Sequence, residues 1–308
     1  MVIGRGRRML AREMHEQHRV STPLELLFDL TFVAAVSQAA AELSRRIEAG
    51  RLGQGVLAYL MVFFAIWWAW MNFTWFASAY DVDDLQYRVL TLVQMAGVLM
   101  LAAGVSATFE QTNYTAVTIG YVIMRVAMVA QWARAARDDR PRRATAIRYA
   151  VGTVVVQVGW ILRLAVFAVA GIGFAVLVVA ELAVPLWAEH RERTSWHPRH
   201  IAERYGLFTI IVLGECVLAS TTAVGARAGA HLGGIDLLVV AIGGLVLLFA
   251  LWWPYFLKPV GEGLAQRRSL AFWWGIRALR RVRLDRSVGC RPGGGDRASS
   301  TRWWPPRP

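Results

Sequence analysis

The chain has 308 residues, 56% of them apolar, and a formal charge of +13; its mean hydropathy of +0.40 is high for a water-soluble protein. The charge does not point to nucleic acid: nine Arg against Asp285 and Asp296 place +7 in the segment from Ile276 onward, and the rest is spread over short loops. Two cysteines, Cys216 in an apolar block and Cys290 near the C-terminus, give neither a disulfide framework nor a metal-ligand spacing, so no metal and no cofactor is expected.

Residues 1–23 form a basic segment with Arg5, Arg7, Arg8, Arg12 and Arg19, and lack an apolar stretch ending in a small-residue cleavage site. The first apolar block is therefore expected to remain in the protein as a helix and to guide insertion. Residues 24–257 read as a membrane domain. Its apolar blocks run from Leu24 to Leu43, Val56 to Ala79, Val89 to Phe109, Tyr114 to Trp132, Ala144 to Phe167, Gly171 to Trp187, Tyr205 to Ala223 and Ile235 to Leu257. Each is close to the roughly 20 residues that cross a bilayer as helix, whereas membrane strands would alternate in polarity over about ten residues. The fold class is thus all-α, a polytopic transmembrane bundle of about eight helices. The stretch from Ala144 to Trp187 is too long for one ordinary span, and Gly171 and Gly173 supply a turn within it.

Loop charge sets the orientation. Arg134, Arg137, Arg140, Arg142 and Arg143 fall on the same side as the Arg-rich N-terminus when the helix count is even, and that side is expected to be cytoplasmic, with both termini. Arg45, Arg46 and Arg51 in an outer loop run against the pattern. Residues 258–308 form a basic, low-complexity tail rich in Gly, Pro, Arg and Trp, with no helix or strand period.

Ionisable groups inside the blocks carry whatever chemistry the sequence offers, because burying charge in hydrocarbon is costly without a partner or water. They are Glu25, Asp29, Arg125, Arg163, Glu181 and Glu215. Glu25 and Asp29, four apart, share one helix face near the cytoplasmic mouth, where they could share a proton or pair with Arg. Asp81, Asp83, Asp84 and Arg88 follow the second block; a cap with a salt-bridged turn accounts for them better than a cation site. His197, His200, Glu203 and Arg204 precede the seventh block, in an order that is not the zinc-protease pattern, and pairing with the carboxylates is the expectation. Glu215 falls near the midplane of that block, where either a conducting carboxylate or a neutral hydrogen-bonded one fits. Trp67, Trp68, Trp70 and Trp75 offer packing or belt residues, and Asn72 and Gln94 polar contacts between helices.

The stretches VSTPLELLFDLTFVAAVSQ, WWAWMNFTWFASAYDVDDLQYR, HIAERYGLFTIIVLGECVLA and LWWPYF together resemble the bacterial low-temperature-requirement A family. The resemblance covers about Val20 to Phe256 and implies a multi-pass bacterial inner-membrane protein named for a growth phenotype, without an established activity. Its motif positions are Glu25, Phe28, Asp29, Trp75, Asp83, Asp84, Arg88, His200, Glu203, Arg204, Gly206, Gly214 and Glu215. The chain departs from the family after AFWWG, where further apolar sequence is usual. The Arg-rich, Gly-rich run beginning near Gly275 reads as a shifted frame in GC-rich coding DNA, or a truncation.

The leading functional reading is a transporter or channel-like protein for protons or a small ion or solute. Its charged network would comprise Glu25, Asp29, Asp83, Asp84, Arg88, Arg125, His200, Glu203, Arg204 and Glu215. A non-transporting membrane scaffold or stress sensor is the alternative, in which the same charges close into pairs. An intramembrane enzyme, with Asp29 and Glu215 as acid and base, comes third. Membrane lipids are the expected surroundings.

Overall fold

The computed structural model describes residues 7–12, 20–165, 170–229 and 234–257. The chain divides into two units, Met1–Arg268 and Ser269–Pro308, and the described residues all lie in the first. The basic tail, with the shifted frame or truncation expected near Gly275, falls outside them. The described residues contain eight helices and no strand: α1 (Pro23–Glu48), α2 (Leu52–Tyr80), α3 (Leu85–Gln111), α4 (Thr115–Asp138), α5 (Arg143–Ala165), α6 (Ala170–Ala188), α7 (Pro198–Gly229) and α8 (Gly234–Phe256). Helices α1 to α6 are each long and apolar enough to cross a membrane. The stretch from Ala144 to Trp187 is two helices, as its length requires.

Local sequence sets the helix starts. Thr22 and Glu25 form a reciprocal capping box ahead of α1, with Pro23 in its first turn. Asp84 caps α3 by accepting from the Tyr87 N–H at 2.9 Å. Helix α7 begins at Pro198, seven residues before the apolar block at Tyr205, so His200, Glu203 and Arg204 belong to its first two turns rather than to a preceding loop. Partners on α1 explain the extension.

Small residues bring α3 and α4 together. A Cβ on Gly120 would stand 2.5 Å from the Gly97 carbonyl oxygen and from Leu101 N, and one on Gly104 would stand 2.8 Å from Val117 N. These backbones approach as only glycine allows. Helix α1 packs on α2 and α3, α4 on α5, α5 on α6, and α7 on α1, α2 and α8.

Contacts at one end fix the topology. His200 and Arg204, at the start of α7, meet Glu25 and Asp29, at the start of α1. Tyr80, closing α2, donates to Asp139 beyond α4, and Tyr149 on α5 donates to Glu189 beyond α6. The starts of α1, α3, α5 and α7 therefore share an end with the finishes of α2, α4 and α6, and α1 to α6 make an even number of crossings. This shared end carries the Arg134–Arg143 run, the side that loop charge assigns to the cytoplasm. At the opposite end Arg46 donates to the Phe109 carbonyl and Ser106 to Glu42. Leu27, Leu30, Leu99, Val155 and Ile161 are among the apolar side chains exposed on the outside of the bundle, as hydrocarbon surroundings permit.

Candidate functional site

Two buried charge centres flank α2, and they differ in how completely their carboxylates are satisfied. The first joins α1, α2 and α7. Glu25 and Asp29, one helical turn apart, are fully buried, as are His200 and Arg204. Arg204 donates from Nη2 to Asp29 Oδ1 at 2.5 Å, and its Nη1 lies 3.1 Å from Glu25 Oε1. His200 Nε2 stands 3.2 Å from the same Glu25 oxygen. Trp70 of α2 donates to Asp29 Oδ1 at 2.7 Å. Glu25 Oε2 is held by the Thr22 N–H at 2.8 Å, so one side chain serves both the cap and the ion pair.

The polar atoms do not all find hydrogen bonds. Among the described residues, Glu25 Oε1 has ionic contacts without hydrogen-bond geometry, Asp29 Oδ2 and the Thr74 hydroxyl, both on fully buried side chains, have no hydrogen-bond partner, and Arg204 Nε and Nη1 lack one as well. Two carboxylates stand against one permanently charged guanidinium. His200 lies in the first turn of α7.

The second centre joins α2, α4, α5 and α6. Glu181 of α6 is fully buried and accepts five hydrogen bonds: from Trp68 Nε1 at 2.8 Å, Tyr121 Oη at 2.7 Å, Arg125 Nη2 at 2.7 Å, Gln157 Nε2 at 3.0 Å and Trp160 Nε1 at 3.3 Å. Donors from α2, α4 and α5 thus converge on one carboxylate. All five groups donate to the carboxylate, and Arg125 is the charged one among them. On the side away from the shared end, a small cavity of about 30 Å³ lies between α2, α4, α5 and α6, and Tyr121 and Trp160 form part of its wall. Arg163 also lines it, its guanidinium 5.0 Å from the Tyr114 ring centroid, 5.5 Å from Phe174 and 5.8 Å from Trp160. These are cation–π distances.

A third set of charges ties the shared end together. Arg134, buried in α4, forms a two-bond pair with Asp84 and donates to the Arg7 carbonyl at 2.6 Å. Burial alone would raise the Asp84 carboxyl, but Arg134 and the Tyr87 N–H outweigh it and hold it below the usual carboxylate range. Asp83, at φ +46°, pairs with Arg88 through two bonds of 2.7 and 2.8 Å on the surface, and Arg12 reaches Asp81 at 3.3 Å. The cap and salt-bridged turn expected there is what forms. Burial raises Glu189 despite hydrogen bonds from Thr194 and Tyr149.

The ten sequence-singled residues therefore distribute over several places. Glu25, Asp29, His200 and Arg204 converge; Arg125 joins Glu181; Asp84 joins Arg134; Asp83 and Arg88 pair locally. Glu203 accepts from the Ser21 N–H at 3.3 Å beside the first centre. Glu215 is half-buried on α7, four turns beyond His200, and is not brought to either centre. Trp68, Tyr121, Gln157 and Glu181 were outside the expected network, although Glu181 was visible as a lone carboxylate in an apolar block. Among the described residues, no group of three or more His, Cys, Asp and Glu is placed to hold a metal ion.

A family model described as bacterial low temperature requirement A protein matches residues 20–279. An uncharacterised protein of Rhizobium meliloti (strain 1021) is 28% identical over 258 residues, 80% of this chain and 60% of that protein. The chain thus spans 60% of the length of this curated relative. No solved structure matches.

Proposed function

The chain belongs to the bacterial low temperature requirement A family and is a multi-pass inner-membrane protein; from that premise we propose that it transports protons, or a small ion or solute, through the α1/α2/α7 junction. The observation that carries the reading is the unequal satisfaction of the carboxylates in the two buried centres. Around Glu181 one carboxylate meets one guanidinium and four other donors, as a fixed structural knot would. At the junction two carboxylates face one guanidinium and a titratable imidazole, and oxygen atoms are left over. An exchangeable charge is the ordinary use of such a group within a membrane.

In this reading Asp29 and Glu25 carry the exchanged charge, His200 takes up or releases a proton, and Arg204 holds the carboxylates together between turnovers. Helix α2 lies between the centres and contacts both, through Trp68 and Trp70. The test is flux in proteoliposomes with a pH-sensitive dye inside. Asp29→Asn should lose flux while Glu181→Gln, where it folds, retains it. Equal flux in Asp29→Asn and the parent would refute the assignment.

The scaffold reading keeps one specific observation in its favour: the ion pairs at the shared end are closed and span α1, α2, α4 and α7. It predicts that every charge substitution acts through stability alone.

A further inference from the structure

We propose that the cavity between α2, α4, α5 and α6 binds a short-chain monocarboxylate the size of acetate, with its carboxylate on the Arg163 guanidinium and its methyl group against the apolar wall. The inference goes beyond the transport reading and does not rest on it, because the cavity shares no residue with the α1/α2/α7 junction.

The guanidinium and the cavity coincide in space. Arg163 is the charged residue of the cavity wall. Its guanidinium carbon stands 5.0 Å from the ring centroid of Tyr114, 5.5 Å from that of Phe174 and 5.8 Å from that of Trp160, and all three rings line the same cavity. A charge held against three wall rings, from the start of α4, from α5 and from α6, lies at the cavity itself. Cation–π attraction keeps it there.

The chemistry of the wall then selects the ligand. The half-buried Arg163 repels a cation, and an anion beside it offsets the cost of drawing its charge out of water. A guanidinium carries five N–H donors in a planar fork, and a carboxylate takes two of them in parallel. Thr118, buried in the same wall, adds a hydroxyl. The remaining surface is apolar, with Met61, Val62 and Ala65 from α2 and Val117 from α4. Tyr121 Oη and Trp160 Nε1 are engaged by Glu181, whose charge Arg125 balances, so these two residues offer the cavity their rings.

Size narrows the class further. At about 30 Å³ the cavity has room for about two waters, each of which needs roughly 10–15 Å³. One carboxylate with one methyl group suits that space. A branched acid or a lipid tail exceeds it, and a bare halide leaves the apolar wall uncovered.

The experiment uses the full chain in lipid nanodiscs at pH 7 and constant ionic strength. It reads saturation transfer from the protein to the methyl protons of added sodium acetate, with empty nanodiscs as the blank. The parent is expected to give a saturable signal. Acetamide, which has the shape without the charge, and pivalate, which has the charge with more bulk, should fail to displace acetate, and chloride should compete at least about tenfold more weakly. Arg163→Gln should weaken acetate binding roughly 10- to 100-fold, the worth of hydrogen bonds to a charged group. Ala65→Leu fills the cavity and keeps the guanidinium; it should abolish the signal, and it decides the question if Arg163→Gln fails to fold. No saturable signal from the parent, displacement by chloride or pivalate as effective as by acetate itself, or an acetate Kd unchanged in either variant would overturn the site.

Discussion

Replacing Glu181 by Gln separates a structural charge centre from a functional one. The substitution leaves an amide oxygen for Tyr121, Gln157 and Trp160 but sets an NH₂ group against Trp68 Nε1 and Arg125 Nη2, so donors face donors. Arg125, 2% exposed, is left as an uncompensated buried cation. Breaking a buried pair in this way costs about 3–5 kcal/mol, which in a domain of this size lowers the apparent Tm by roughly 6–20 °C. Arg125→Met should cost a similar amount by stranding the carboxylate. The double variant strands neither charge, so its loss should fall short of the sum by between about 0.5 and 3 kcal/mol. Thermal unfolding in mild detergent, followed by intrinsic fluorescence, is a suitable assay because Trp68 and Trp160 both donate to Glu181. Additive losses in the double variant, or a Glu181→Gln protein as stable as the parent, would refute the account of this centre as a charge-balanced knot.

Further outcomes follow from the same structure. Gly120→Ala should lower stability by about 1–3 kcal/mol, because the new Cβ meets the backbone of α3 at 2.5 Å rather than a yielding side chain; unfolding midpoints of the two proteins measure it. Asp84 is held below its unfolded pKa, so its pair with Arg134 contributes stability above about pH 4 and loses it as acid is added through the lower folded value. Asp84→Asn should therefore be less stable than the parent at pH 7 and differ less from it below pH 3. Glu189 titrates in the opposite sense: its folded pKa is raised, so its contribution is full below about pH 4 and is lost as pH rises through the folded value. Gln in its place can still accept from Tyr149 and Thr194, and Glu189→Gln should be more stable than the parent at pH 8, a gain that disappears in acid.

The fold was legible because a bilayer imposes one length on every span, and apolar blocks of that length can be counted. The site was legible where a motif lies within one helix. Glu25 and Asp29 announce a shared face by their spacing, whereas His200 and Arg204 read as a segment ahead of the seventh block and turn out to lie in the first two turns of α7. Their pairing was a reasonable expectation for opposite charges at one mouth, and the structure brings them together. The Glu181 centre was not legible, because its donors come from α2, α4 and α5 and no local spacing relates them. Trp68 reads as a packing or belt residue, yet its N–H reaches α6; Arg125 could either reach for the interface or pair with an acid, and it pairs with Glu181. Glu215 attracted attention through its depth, but depth does not say which way a helix face points.

The position of α2 gives the two centres a joint consequence. Trp68 and Trp70 are two residues apart, so they leave the helix on nearly opposite faces, and each donates to a buried carboxylate, Glu181 on one side and Asp29 on the other. Helix α2 is thereby pinned to α6 and to α1 at almost one level. A rotation or shift of α2 large enough to free Asp29 from Trp70 would also strain the bond to Glu181, where four other donors resist displacement. Motion at the junction is therefore easier for α1 and α7, which are joined there through Glu25, Asp29, His200 and Arg204. Any exchange of charge at Asp29 should then be read first in the α1/α7 contact, with α2 and the Glu181 knot serving as the fixed frame.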